Sequence, residues 1–379
     1  MKPNLKELKK LLHISNDDRF ITIGKKIFEN VANTQNDFWI FPNQKEFEFV
    51  KFNAENLFEV NINTQDYYQK INEYDLICIH FLNPKLFALL KSKQIKKPIL
   101  WIGWGGDYYW MMDTYKDFNI ILPHTSRLIQ RIPFQKYIQS LVKKLKKLKT
   151  SPKLESINQI QYFAPVFKSE YELIRKNFPH FKPQFVEWNY GYIDQEVTDF
   201  YSSLWRHGNK IMIGNSATPT NNHIDVMQDL KDVLAKEELI IPLSYGHPLY
   251  KNFIAKYARK NFNKIEVLEK LIPEKEFDQI MLNCSNLIVG SIRQQAVATI
   301  SKALYMGINV FLYEDSLNYK FFKENSFYIY SIEELKTNPH LLKTQLSKEQ
   351  IIENRERINR FWSIDKNSQS IANLLESLN

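Results

Sequence analysis

The sequence predicts an α/β protein with two domains, each a parallel sheet covered by helices. Two observations predict it. Short apolar runs with strand character alternate with segments whose apolar residues recur at helical spacing, and the links between them are short. In addition, glycine is scarce, and six of the 10 glycines fall at or just past the end of a strand-like run. Average usage would give roughly 27 glycines in a chain of this length.

In the N-terminal half, residues 11–14, 38–41, 75–80 and 98–104 read as strands. Residues 83–91 read as a helix, with Leu86, Phe87, Leu89 and Leu90 apolar. The C-terminal half alternates more regularly. Residues 210–213 form a buried strand ending at Gly214, followed by a helix over 221–234 with apolar residues at 224, 227, 230 and 234. Strands then fall at 238–243, 265–268, 287–289 and 309–313. Helices lie between them around 249–258, 274–284 and 293–306, the last capped by Gly307. Residues 350–378 read as helical. The expected domains are residues 1–200, residues 201–345, and a C-terminal helical segment 346–379 packing back on the first domain, with the boundary falling between Tyr192 and Asn209.

The 379 residues are 44% hydrophobic, 25% charged and 14% aromatic, which suits a protein with a core in each domain and excludes a disordered chain. The two cysteines, Cys78 and Cys284, lie in apolar segments, so a disulfide scaffold and a four-cysteine zinc site are excluded and a reducing compartment is expected. No run of about 18 apolar residues is present to span a membrane, and the N-terminus lacks the apolar stretch of a secretory signal. A cytoplasmic protein is expected. The net charge of +9 favours an anionic partner: a phosphorylated ligand, an acidic membrane surface or, least of the three for want of a motif, nucleic acid.

Gly103, Gly105, Gly106, Gly214, Gly246 and Gly290 mark the carboxyl ends of strands, the edge where open parallel sheets bind ligands. Gly214-Asn215-Ser216, with Thr220-Asn221-Asn222-His223 following, opens a helix with capping residues whose backbone N–H groups suit an anion such as a diphosphate. A capped helix start without a ligand reads the same way. The segment lacks the nucleoside-triphosphate loop pattern. Gly290-Ser291-Ile292-Arg293-Gln294-Gln295 places a permanent cation at a predicted helix start, where the dipole disfavours it unless an anion is near. A phosphate meets that need; a carboxylate such as Glu314 meets it equally.

The run 101–109 carries Asp107 on a glycine-rich loop among aromatics. It is not a dinucleotide fingerprint, because tyrosine stands at 108 where glycine is required. A carboxylate there suits a general base or a ligand for sugar hydroxyls, and His80, ending the neighbouring strand, can join it. Either side chain also reads as a buried, hydrogen-bonded group. Residues 134–149 form an amphipathic helix whose lysines include Lys143, Lys144, Lys146 and Lys147. It suits the headgroup layer of an anionic membrane or a core-facing helix with a solvated back.

In order and spacing, residues 211–223, Leu243-Ser244-Tyr245-Gly246, Phe277-Asp278, Arg293-Gln294-Gln295 and the 314–318 loop resemble one bacterial glycosyltransferase family. So do His80 with Asn83-Pro84, and the Trp104-Gly105-Gly106-Asp107 run with Tyr109. The family is the TDP-N-acetylfucosamine:lipid II N-acetylfucosaminyltransferases of enterobacterial common antigen synthesis. The resemblance implies the GT-B fold, two Rossmann-like domains facing a cleft, with the donor nucleotide on the C-terminal domain and the acceptor on the N-terminal one.

It further implies that Gly214, Asn215, Ser216, Asn221, Asn222, His223, Tyr245, Gly246, Arg293, Gln294, Gln295, Glu314 and Asn318 contact the TDP-sugar donor. Asn215, Ser216 and Arg293 would hold the departing diphosphate, Tyr245 would stack on thymine, and Glu314 would take hydroxyls. Asp107, with His80 beside it, would deprotonate an acceptor hydroxyl on a polyprenyl-diphosphate-linked glycan at the inner face of the cell membrane. No Asp-x-Asp follows a strand, so neither a metal nor a cofactor is expected. The alternatives are another nucleotide-sugar enzyme of this shape, such as an epimerase, and a non-catalytic basic peripheral membrane protein.

Overall fold

Apolar runs bounded by polar turns become strands buried on both faces, the environment that an all-parallel sheet provides. The computed structural model describes residues 7–16, 20–42, 45–48, 50–112, 120–131, 151–191 and 208–378. These divide into two units. The first takes the described residues up to 112, those of 151–191 and those of 362–378, and the second takes 120–131 and 208–361. The expected 200/201 boundary lies outside the described residues.

The first unit holds a parallel seven-stranded sheet. Its strands are β1 (Lys9–Ser15), β2 (Thr34–Ile40), β3 (Glu55–Asn56), β4 (Leu76–His80), β5 (Ile99–Ile102), β6 (Tyr162–Ala164) and β7 (Gln184–Phe185), in the order β3-β2-β1-β4-β5-β6-β7. The order reverses between β1 and β4, whose register sets Leu11 beside Leu76 and Ser15 beside His80. Leu11, Leu76, Leu100 and Ile102 are fully buried against Ile27 and Phe28 of the helix Phe20–Glu29. Each such side chain contributes about 1.5–3 kcal/mol by leaving water.

The second unit repeats the plan with six parallel strands: β8 (Lys210–Ile213), β9 (Glu238–Pro242), β10 (Lys264–Leu268), β11 (Cys284–Val289), β12 (Asn309–Leu312) and β13 (Tyr330–Ser331). Their order is β10-β9-β8-β11-β12-β13. The winding reverses between β8 and β11, which pair directly. A ligand crevice is expected outside the carboxyl ends of the strands at such a reversal.

Helix limits differ from expectation where the backbone turns left-handed. The expected helix 221–234 is a 3-10 turn (Pro219–Asn221) and two shorter helices (His223–Asp229 and Lys231–Leu234), with Asn222 at φ +50° breaking the run. The expected helix at 293–306 starts only at Val297, because Ala296 sits at φ +62°. The C-terminal segment is helical as expected, in two helices, of which only the second packs on the first unit. Lys348–Phe361 stays with the second unit, where Arg355 donates to the carbonyl of Tyr305 at 2.8 Å. Ile364–Ser377, capped by Ser363, packs on the helix Phe20–Glu29 of the first unit.

The segment 120–131 lies early in sequence yet belongs to the second unit. Leu128 and Ile129 enter that unit's core, while Asp225 accepts the backbone N–H groups of His124 and Thr125 at 2.8 and 2.9 Å. No helix among the described residues is long and apolar enough to cross a membrane. Lys143, Lys144, Lys146 and Lys147 lie outside the described residues.

Candidate functional site

In the second unit, the loops after β8, β9, β11 and β12 emerge from one edge of the sheet. The β8 loop turns at Gly214, whose φ of +71° favours glycine and whose Cα lies so close to His223 that an added Cβ would stand 2.5 Å from Nε2. Gly290 is similarly confined, by Val226 and the Asn221 carbonyl. The β9 loop is clamped to the β8 loop by backbone bonds from Ala217 to Tyr245 (2.7 Å) and from His247 to Ala217 (2.9 Å). Two loops that carry candidate residues are thereby held as one surface.

On that surface Asn215, Thr220, Tyr245, Arg293 and Gln295 converge. Arg293 Nε donates to Thr220 Oγ1 at 3.3 Å, and Thr220 Oγ1 donates to Gln295 Oε1 at 2.5 Å. Gln295 Nε2 approaches Asn215 Oδ1 at 3.5 Å, and Asn215 Nδ2 donates to the Tyr245 hydroxyl at 3.1 Å. Tyr245 is 51% exposed. The cation thus projects from a loop ahead of a helix, not from a helix start as expected. Glu314, the carboxylate alternative, bonds instead to Ser331 Oγ at 2.9 Å. Thr220 lies in the expected anion-binding segment but was not among the residues expected to contact the donor. The sequence signal it carries is its place in that segment, in a Pro-Thr-Asn turn after a strand-end glycine.

Several expected contacts are internal braces instead. Asn222 uses both ends of its amide within the protein: Oδ1 accepts from Leu122 N at 2.9 Å and Nδ2 donates to the Gly290 carbonyl at 2.9 Å. It joins the two ligand-edge loops to the segment at 120–122. The Ser216 hydroxyl is buried among Thr218 and Asn221 at 2.9 and 3.0 Å. Asn318 is buried and donates to the Gln295 carbonyl at 2.8 Å, bracing that loop. His223 is buried beneath Gly214 with Nδ1 3.0 Å from the Tyr250 hydroxyl, and desolvation lowers its pKa to about 3. It is therefore a neutral packing group that adds no positive charge. Gln294, also buried, carries its carbonyl to Arg293 Nη1 at 3.1 Å.

In the first unit, the two expected catalytic residues are both buried and hydrogen-bonded within the protein. Asp107 is 4% exposed, and its carboxylate accepts from Trp101 Nε1 at 2.7 Å, Leu82 N at 3.0 Å and Trp104 N at 2.9 Å. Burial raises its pKa to about 6 while those bonds oppose the rise. Three N–H donors hold its oxygens, and through them it organises the loop.

His80 is buried in a chain of polar groups: Nε2 lies 2.9 Å from His13 Nδ1, and Nδ1 meets the Tyr190 hydroxyl. His13 Nε2 lies 3.0 Å from Asn36 Oδ1, whose amide nitrogen points to Thr34 and Phe28 acceptors. The amide oxygen can only accept, so the donors run in one direction, from Tyr190 through His80 and His13 to Asn36. Desolvation holds His80 well below the usual imidazole range and His13 at about 4. His80 is a neutral relay member, and neither His13 nor Tyr190 was expected in it.

The family model for 4-alpha-L-fucosyltransferases, glycosyl transferase group 56, matches residues 193–372. No curated protein sequence matches the chain. Among solved structures, HepE of Anabaena with UDP and glucose is similar at a TM-score of 0.61 and 11% identity, over 97% of this chain and 100% of that one. Sucrose-phosphate synthase of Thermosynechococcus elongatus is similar at 0.64 and 9% identity, over 98% and 99%. The lipopolysaccharide outer core galactosyltransferase WaaB is similar at 0.56 and 11% identity, over 97% and 99%. The fold is that of the GT-B glycosyltransferases. With the family match, the chain is a glycosyltransferase, and the match supports a fucosyltransferase-type family.

Proposed function

We propose that this glycosyltransferase takes its sugar from a nucleotide diphosphate held by the second unit. The donor would be a TDP-activated amino-deoxy sugar resembling N-acetylfucosamine, and the acceptor a polyprenyl-diphosphate-linked glycan in surface polysaccharide synthesis. The observation that carries this reading is the convergence of Arg293, Thr220, Gln295 and Asn215 where the sheet reverses its winding. A guanidinium set among amide and hydroxyl groups suits a diphosphate. Its charge would also stabilise the leaving group as the glycosidic bond to phosphate breaks. Tyr245 would stack on the base, and Asn215 and Gln295 would orient the diphosphate and sugar.

The sequence resemblance supports TDP and the lipid-linked acceptor. The basic net charge supports a peripheral site on the inner face of the membrane. The similarity to HepE, solved with UDP and glucose, supports a nucleotide-sugar donor of some kind.

A donor screen tests the proposal. TDP-sugars should raise the melting temperature more than UDP- or GDP-sugars, and Arg293→Ala should abolish the difference. Stabilisation by UDP-sugars alone would replace the proposed donor. Release of free sugar and nucleotide without transfer to any lipid-linked glycan would favour the epimerase-like alternative.

A further inference from the structure

We infer that Asp225 is a positioning residue for the donor site: it seats residues 120–125 against the turn 220–223 and thereby fixes Thr220 beside Arg293. Asp225 is buried and accepts the backbone N–H groups of His124 and Thr125 at 2.8 and 2.9 Å. Those two amides belong to the first turn of the helix Pro123–Arg131, where N–H groups lack partners within the helix and the dipole favours a carboxylate. The helix is thus capped by a residue 100 positions further along the chain. Leu128 and Ile129 of the same helix are buried in the second unit's core, which makes it a firm support.

The seated segment in turn decides a backbone conformation. Asn222 Oδ1 accepts from Leu122 N at 2.9 Å, and Nδ2 donates to the carbonyls of Ile120 at 3.2 Å and Gly290 at 2.9 Å. Asn222 stands at φ +50°, a region few non-glycine residues occupy, although the apolar spacing favours a helix running from residue 221. Its bonds to residues 120 and 122 hold it out of that helix. Two residues earlier the same turn carries Thr220, whose hydroxyl meets Arg293 Nε at 3.3 Å and Gln295 Oε1 at 2.5 Å. Without the grip of Asp225, residues 120–122 lose their seat, Asn222 returns to the helical backbone its sequence favours, and Thr220 withdraws from Arg293. Asp225 therefore acts through Asn222 and not on the donor itself. The inference rests on the proposed donor site.

The test compares the full native chain with Asp225→Asn, whose amide accepts one of the two N–H groups and sets its own N–H₂ against the other. Calorimetric titration gives the TDP affinity, and hydrogen–deuterium exchange, read well below the melting midpoint, reports the turn. The Kd for TDP should rise roughly tenfold. Exchange should rise over residues 122–126 and 216–223, while strands 210–213 and 287–289 exchange as in the native chain. A role confined to stability would lower the melting temperature yet leave TDP affinity and exchange at 216–223 unchanged, and that result overturns the inference. Should Asp225→Asn lose its cooperative melting, Asn222→Gly and Asn222→Ala decide. Both drop the bonds to the segment, but only glycine takes left-handed backbone freely, so TDP affinity should fall less in Asn222→Gly. Equal affinities in that pair would overturn the inference. If TDP binds neither the native chain nor Asp225→Asn, the nucleotide-donor reading fails, and exchange at 216–223 alone decides whether Asp225 sets the turn.

Discussion

His13 and His80 face one another across adjacent parallel strands, Nδ1 to Nε2 at 2.9 Å, and both are fully buried. Burial keeps both imidazoles neutral, since charging either would put an uncompensated cation in the core. The pair ties strands β1 and β4 together at the point where the first sheet reverses its winding.

A stability loss in acid follows. In the native state His13, His80 and His223 bind fewer protons than in the unfolded chain, because burial holds His13 at about 4 and His223 at about 3 and lowers His80. Their contributions are therefore complete above the ordinary imidazole value of 6.5. They are lost as pH falls toward the native values, on the order of 3 kcal/mol for His13 alone. Asp107, raised to about 6, works in the opposite sense, its contribution being lost as pH rises from 3.8 through 6. Three groups outweigh one, so thermal melts should show a falling midpoint between pH 6.5 and 4. An unchanged slope in His13→Gln would refute this origin.

Asp107→Asn should destabilise the first unit by about 2–4 kcal/mol, because an amide sets one N–H₂ group against backbone and indole donors. Urea denaturation measures this. A catalytic base predicts the reverse pattern, with full stability and lost turnover.

Arg293→Ala should weaken TDP binding about 10- to 100-fold, the range for losing charge-assisted hydrogen bonds to phosphate. Calorimetric titration provides the number. Because Arg293 is partly exposed, the melting temperature without ligand should stay close to that of the native chain. A variant that binds TDP normally would remove Arg293 from the site.

Gly214→Ala should cost about 2–4 kcal/mol, since it combines a left-handed backbone with a methyl carbon 2.5 Å from the buried His223 ring. Chemical denaturation checks it, and a loss below about 0.5 kcal/mol would show that the loop relaxes freely.

Strand positions were legible because a parallel strand buried on both faces must be an unbroken apolar run. Residues 210–213 were expected as a strand and form β8 with the same limits. The short strand β6 and the edge strand β7 were not legible, since three or two residues carry no periodicity. Helix starts were misplaced where Asn222 and Ala296 adopt left-handed backbone, a choice imposed by the tertiary bonds around them. The resemblance named residues on these loops but did not distinguish Arg293, partly exposed, from Asn222, a buried brace.

Taken alone, the sequence determined the alternation of strand and helix, the parallel sheets and the edge at which glycines gather, because these depend on local spacing and on burial of apolar side chains. Only the tertiary structure decided the role of each polar side chain. An aspartate on a glycine-rich loop becomes a base or a strut according to how many N–H groups reach its oxygens. For Asp107 one of those groups comes from Leu82, 25 residues away, brought close by the pairing of β4 and β5.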